Sequence, residues 1–213
     1  SLTPEQAAVF ARESEPTCIQ GLVQGVVGQF VKEDVAVDVF KTGRGRPWGE
    51  HHECCFCGTE RFFRPAYAGH LLDEWIPAMD GVADKLTAGA KVADIGCGLG
   101  TSSMLMAEQY PNSTIHAYDF HEPSIEEAKR RAKEKGLTNL EFYVSDAGSI
   151  PQESYDLACI FDAWHDMGDP VGIAKAIKDT LADDGTFMVV EPMALDGLQN
   201  NIENNPGAAM FYA

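Results

Sequence analysis

With 213 residues the chain holds one substantial core, or a domain with an appendage, and two full domains would be crowded. Its net charge of -17, from 16 Lys+Arg against 33 Asp+Glu, excludes a groove of clustered cations tracking phosphates, so no nucleic-acid partner is expected. No apolar run approaches the roughly 20 residues that cross a bilayer, and the start "SLTPEQ" lacks the regions of a signal peptide, so the expectation is a cytoplasmic protein without a membrane partner. Cys18, Cys54, Cys55, Cys57, Cys97 and Cys159 fit reduced thiols, because a chain of this length does not depend on bridges for its core.

In chain order, Thr3 to about Asp38 reads as helical, opening on "TPEQ" as a cap and capping box. The stretch "KTGRGRPWGEHHECCFCGTERFF", rich in Gly, charge and aromatics, reads as a long ordered loop that covers something. Arg64 to Leu86 should return to helix. From Val92 onward short apolar runs alternate with helical patterns, the signature of a parallel sheet with crossover helices. The strands are "KVADI", "TIHAYD", "LEFYVS", "YDLACIF" and "GTFMVV"; the helices lie near Ser102 to Tyr110, Ser124 to Lys135 and Pro170 to Leu181. "PSIEEAKRRAKEKG" carries acids early, bases late and a closing Gly136, as an outer helix should. Only 23 residues follow Val190 and many are polar, so no further strand is expected, and a sheet ending there leaves an open edge for a partner or for a missing segment.

The most informative stretch is "VADIGCGLGT". A dinucleotide fingerprint wants G-x-G-x-x-G, but the glycines are Gly96, Gly98 and Gly100 and the third fingerprint position is Thr101. A phosphate loop needs a Lys after the turn, and there is none. Asp94 before the turn and the small Cys97 within it describe a pocket for a cationic ligand lying against exposed backbone. Asp119 ends the second strand nineteen residues after Gly100, where a carboxylate accepts ribose hydroxyls, with Phe120 beside it to stack on a base; that acid alone would serve NAD equally. Asp146, followed by Ala147, ends the third strand and reads either as a ligand contact or as a helix N-cap. Three acids at the carboxyl ends of successive strands face the crevice where open α/β sheets bind ligands.

At Asp94 to Gly100 the sequence resembles the class I S-adenosylmethionine-dependent methyltransferases, whose first motif is D/E-x-G-x-G-x-G. The resemblance implies an α/β fold with a doubly wound, mainly parallel Rossmann-like sheet, S-adenosyl-L-methionine as cofactor, and Asp94, Gly96, Cys97, Gly98, Asp119, Phe120, Asp146, Ala147 and Phe161 in contact with it. "FDAWHDMGDP", after the fourth strand, resembles the H-D-W motif of small-molecule O-methyltransferases with a winged-helix dimerisation domain, in which the His is the general base. His165 and Asp166 then belong to the catalytic set, with Glu191, six residues after Gly185, fixing the tautomer of His165. Phe161 stands where the plant phenolic enzymes carry a Lys, and Met167 replaces the motif's Trp, which leaves the substrate open.

The chain is also similar to bacterial, including mycobacterial, winged-helix methyltransferases with "TERFFRP" and "FDxxHDMGDP" segments. That similarity implies residues 1–90 as a helical and lid region left from a winged-helix dimerisation domain, residues 91–213 as the cofactor-binding domain lacking its last strands, and a homodimer. The expected reaction is methyl transfer to a small-molecule hydroxyl or thiol; the alternatives are a cofactor-binding regulatory protein without turnover and a nicotinamide oxidoreductase. "HHECCFC" invites a metal, but no second Cys pair lies elsewhere to close a zinc site. The expectation is no metal, with Trp48, Phe56, Phe62 and Phe63 as a lid and Arg64 and Tyr67 facing either ligand or solvent.

Overall fold

The computed structural model describes residues 1–15 and 17–208. Three helices open the chain: α1 (Pro4–Phe10), α2 (Gln20–Val31) and α3 (Glu33–Thr42). Thr3 caps α1 with the expected capping box, its side chain accepting from the Gln6 amide while Gln6 reaches back to the Thr3 amide.

The long loop expected between Lys41 and Phe63 is the main correction to the sequence reading. Only its first part is irregular; α4 (Glu53–Ala66) takes the rest, starting at His52, whose Nδ1 accepts from the Cys54 amide at 3.2 Å. The segment is helical because its small and apolar residues recur at helical spacing, with Cys55, Gly58 and Pro65 buried. Its partner is α2, and the two backbones nearly touch: a Cβ on Gly58 would lie 2.4 Å from the Gly25 nitrogen, and one on Gly21 2.3 Å from the Phe62 nitrogen. Arg61 fastens the pair by donating to Gln20 at 2.7 Å and to Glu13 at 2.6 Å. A π-helical segment, Tyr67–Trp75, continues α4 towards α5 (Val82–Ala88).

The sheet consists of β1 (Lys91–Ile95), β2 (Thr114–Asp119), β3 (Leu140–Val144), β4 (Tyr155–Phe161) and β5 (Leu181–Val190). All pairings are parallel, in the order β3-β2-β1-β4-β5. The crossovers are α6 (Thr101–Gln109), α7 (Glu122–Lys135) and α8 (Pro170–Thr180), and α9 (Leu198–Asn204) follows β5. β1 is buried from Val92 to Ile95, the near-continuous apolar run required of a strand covered on both faces. β5 begins earlier than "GTFMVV": Leu181 pairs with Tyr155, the register then shifts, and Thr186 pairs with Leu157. Gly185 sits at that irregularity, where a Cβ would meet the Tyr155 carbonyl at 2.6 Å. α7 buries Ile125, Ala128 and Ala132 and turns its charges outward, as expected of an outer helix.

In this order the chain leaves β1 in one direction for β2 and β3, then returns to β1's other side with β4 and β5. Open sheets bind ligands outside the carboxyl ends of the strands at that reversal.

Candidate active site

Every strand-end residue singled out in the sequence arrives at this edge. A crevice of about 730 Å³ runs over it, floored by the glycine turn and roofed by α4 and the segment before it. Gly96, Cys97, Gly98, Asp119, Phe120 and Asp146 line one end, and His165, Asp166 and Met167 the other.

The turn after β1 places Gly96, Gly98 and Gly100 at φ of 73°, 52° and 78°, in the left-handed region that glycine enters without strain. Their surroundings differ. A Cβ on Gly100 would lie 2.7 Å from the Phe142 ring and one on Gly96 2.9 Å from Ala163 Cβ, so both serve packing. Above Gly98 nothing lies within 4 Å, which leaves an open cradle over its half-buried backbone.

Asp94, expected to contact the cofactor, does not line the crevice. It is fully buried behind the turn, where Oδ2 accepts from Ser102 at 2.6 Å and Ser103 at 2.5 Å, tying β1 to the start of α6. Its Oδ1 has no hydrogen-bond partner. Burial pushes its pKa up to about 6, against the two serine hydrogen bonds and with a contribution from the nearby Asp119 charge. Asp119 accepts from the Gly98 amide through Oδ2 and from the His121 amide through Oδ1, both at 2.8 Å. Burial raises its pKa while those two amides pull it down. Asp146 caps a short 3-10 turn, Ala147–Ser149, through Oδ1 to the Gly148 amide at 2.8 Å, the N-cap role considered from sequence, and also lines the crevice. Phe161 is buried and packs on Tyr67 with ring centres 5.5 Å apart.

At the other end Glu191, just beyond β5, organises the loop after β4. Its Oε1 accepts from the amides of Ala163 at 3.1 Å and Trp164 at 2.7 Å, while Oε2 accepts a hydrogen bond from His165 Nδ1 at 2.5 Å. The tautomer with hydrogen on Nδ1 leaves the Nε2 lone pair available. Burial is the largest single influence on His165 and opposes its charged form, but the Glu191 hydrogen bond and the charges of Asp166, Glu191 and Asp162 together outweigh it and raise the pKa above the usual 6.5. Asp166 Oδ1 lies 3.8 Å from His165 Nε2 and is largely exposed.

The lid is partly as expected. Trp48, Phe56 and Phe63 line the crevice, and Phe56 rests on His121 at 4.6 Å between ring centres. Phe62 does not line it, because its backbone sits in the close α2–α4 contact. Arg64 also turns away, pairing with Glu13 at 2.7 Å. Tyr67 is buried in the crevice wall and donates to Asp162 Oδ2 at 2.7 Å. Asp162 went unnoticed in the sequence, although it directly follows β4. It adopts φ 50°, which Asp tolerates better than most residues, and burial lifts its pKa to about 6. Glu60 also went unnoticed; it lines the roof and accepts from Thr101 at 2.8 Å. Cys55 is buried, Cys57 exposed and Cys54 intermediate on α4; among the described residues no group of three His, Cys, Asp or Glu is arranged to hold a metal ion.

A family described as "methyltransferase domain" matches residues 86–210, more than half of the chain and the whole glycine-turn edge. The chain belongs to the class I S-adenosylmethionine-dependent methyltransferases. Membership removes the nicotinamide reading. The chain is 27% identical to a sterol 24-C-methyltransferase of Aspergillus fumigatus over 79% of this chain and 42% of that protein. It is 32% identical to the aklanonic acid methyltransferase of a Streptomyces species over 49% of each. The chain thus spans about half or less of the length of these curated relatives. Its fold matches an S-adenosyl-L-methionine-dependent methyltransferase structure from Methanococcus maripaludis with a TM-score of 0.57, covering 79% of this chain and 78% of that one at 18% identity.

The residues present fit the family's cofactor. The open cradle over Gly98 accepts an uncharged backbone-facing ligand segment, and the unpartnered Asp94 oxygen behind the turn favours positive charge above it. Asp119, Phe120, Asp146 and Ala147 line the crevice together with the glycine turn.

Proposed function

We propose that the methyltransferase acts on a hydroxyl or thiol of a small molecule, with His165 as general base held by Glu191. The observation that carries this reading is the His165–Glu191 hydrogen bond on the wall of the crevice, beyond the carboxyl ends of β4 and β5. When bound, S-adenosylmethionine would supply an electrophilic methyl group and carry away the leaving electron pair as a thioether. The protein then has to align the acceptor and receive its proton. His165 Nε2 would take that proton from the acceptor, and Glu191 would stabilise the imidazolium so formed. Asp166 adds negative charge beside Nε2 and so favours the same protonated state. Asp119, Asp146, Ala147, Phe120 and the turn from Gly96 to Gly98 are assigned to the cofactor, with Phe161 and Cys97 packing the floor and Asp94 acting from behind the turn.

The division near residue 90 belongs to the same proposal, with the N-terminal helices as roof and dimerisation element. On α2 and α3, Phe30 is 74% and Phe40 91% exposed, beside exposed Val23 and Val27, and a second copy would cover them. Light scattering tests the homodimer, and monomer alone at high concentration overturns it. An acceptor screen with methyl-labelled cofactor tests the activity: cofactor binding without transfer to any hydroxyl or thiol would favour a regulatory protein. Among the described residues no helix is long and apolar enough to cross a membrane.

A further inference from the structure

Arg46 lies outside everything assigned so far. In a chain of net charge -17, each of the other arginines is held by an acid: Arg12, Arg44, Arg61, Arg64, Arg130 and Arg131 all lie within 3.8 Å of a carboxylate oxygen. Among the described residues Arg46 has no such partner. Its guanidinium donates to the Glu50 backbone carbonyl at 3.0 Å, while its Nε is buried without any partner. A buried guanidinium N–H left unpaired is costly, and the geometry of the group favours two-point contact with a carboxylate.

Arg46 lines the acceptor end of the crevice, where its charge and that of Asp166 both act on His51 and Cys55. Trp48, whose ring centre lies 5.5 Å from that of His51, gives that end a flat apolar wall. His51 adds no compensating charge, since burial first and Arg46 second lower its pKa below 6.5. Asp166 faces the same space with a carboxylate and repels an anion, so an anionic ligand must place its charge on Arg46 and its neutral, proton-bearing group towards His165 and Asp166.

We propose that the acceptor is an aromatic acid whose carboxylate docks on Arg46 and whose hydroxyl or thiol faces His165. The proposal rests on the methyltransferase reading for the identity of the reacting end, and names the class of molecule that end belongs to. The carboxylate of the cofactor itself has the same chemistry, and the test separates the two.

The experiment is calorimetry on the whole chain with 1-hydroxy-2-naphthoate and, as neutral match, 1-hydroxy-2-naphthamide, each with and without saturating S-adenosylhomocysteine. Wild type should prefer the acid by about tenfold or more, as a charge-assisted hydrogen bond provides. Arg46→Met should abolish that preference with unchanged S-adenosylhomocysteine affinity and thermal midpoint, and Arg46→Lys should keep part of it. Equal binding of acid and amide by wild type, binding of neither, or a preference that survives Arg46→Met overturns the proposal. Loss of S-adenosylhomocysteine affinity in Arg46→Met assigns the arginine to the cofactor's carboxylate and overturns it too. Failure of S-adenosylhomocysteine to bind wild type refutes the cofactor reading instead, and the arms without it still read acid preference alone.

Discussion

Glu191→Gln isolates the contact on which the proposed chemistry depends. The amide can keep an oxygen towards the Ala163 and Trp164 amides, so the loop after β4 retains its anchor. Its NH₂ then faces His165 Nδ1, where the carboxylate now accepts at 2.5 Å. Two donors cannot share that position, so the ring must move its hydrogen to Nε2 and lose the lone pair that would take the acceptor's proton. A hydrogen bond to a charged group is worth about 1.5–3 kcal/mol, which corresponds to a loss of roughly 10- to 150-fold in turnover. The same change removes the Glu191 share of the interactions that lift the His165 pKa above 6.5, so the group should titrate lower. Proton NMR of the His165 ring follows this titration before any acceptor is known, and turnover of an authenticated hydroxyl acceptor follows the rest. In wild type the neutral base fraction, and with it the rate, rises with pH through the raised pKa. The ion pair's contribution to stability runs the other way, being full below the unfolded value and lost as pH rises through the folded one. A His165 pKa at or below 6.5 in wild type, or one that Glu191→Gln leaves unmoved, would refute the reasoning.

His165→Gln should lower turnover further, by about 10²- to 10⁴-fold as for a lost general base, with S-adenosylhomocysteine affinity nearly intact by calorimetry; a wild-type rate would rule the base out. Gly98→Ala should cost only about 1–2 kcal/mol of stability for its left-handed backbone, since no atom lies within 4 Å, but should block cofactor binding by filling the cradle; unchanged affinity would move the ligand elsewhere. Asp119→Ala strands the Gly98 and His121 amides at about 1–3 kcal/mol each and should weaken the cofactor more than Asp146→Ala, whose lost contact is an exposed cap; equal effects in calorimetry would contradict this. Burial raises Asp94 and Asp162 to about 6, so the native state holds more protons than the unfolded chain between about pH 4 and 6 and their contribution to stability falls as pH rises through that window. Asp162→Asn should flatten part of that fall in denaturant titrations, and an unaltered slope would count against the shift.

The sheet half was legible in the sequence because its signals are local. A strand covered on both faces must be apolar along its length, as "KVADI" and "YDLACIF" are, and a turn with three left-handed residues admits little but glycine. Those constraints put Asp119, Asp146 and His165 at strand ends, and order along the chain did the rest. The α4 region was misread because Gly, Cys and aromatic residues suggest a loop until the partner is known: Gly58 belongs in a helix here only because α2 presses its own backbone against it. Tertiary structure alone decided which of a residue's possible contacts is made. It hid Asp94 behind the turn and gave Arg64 to Glu13, whereas Tyr67 and Asp162 were joined across 95 residues. Among the described residues Arg46 alone of the arginines was left without an acid. Charge pairing depends on distance through space, which sequence spacing does not encode beyond a helical turn.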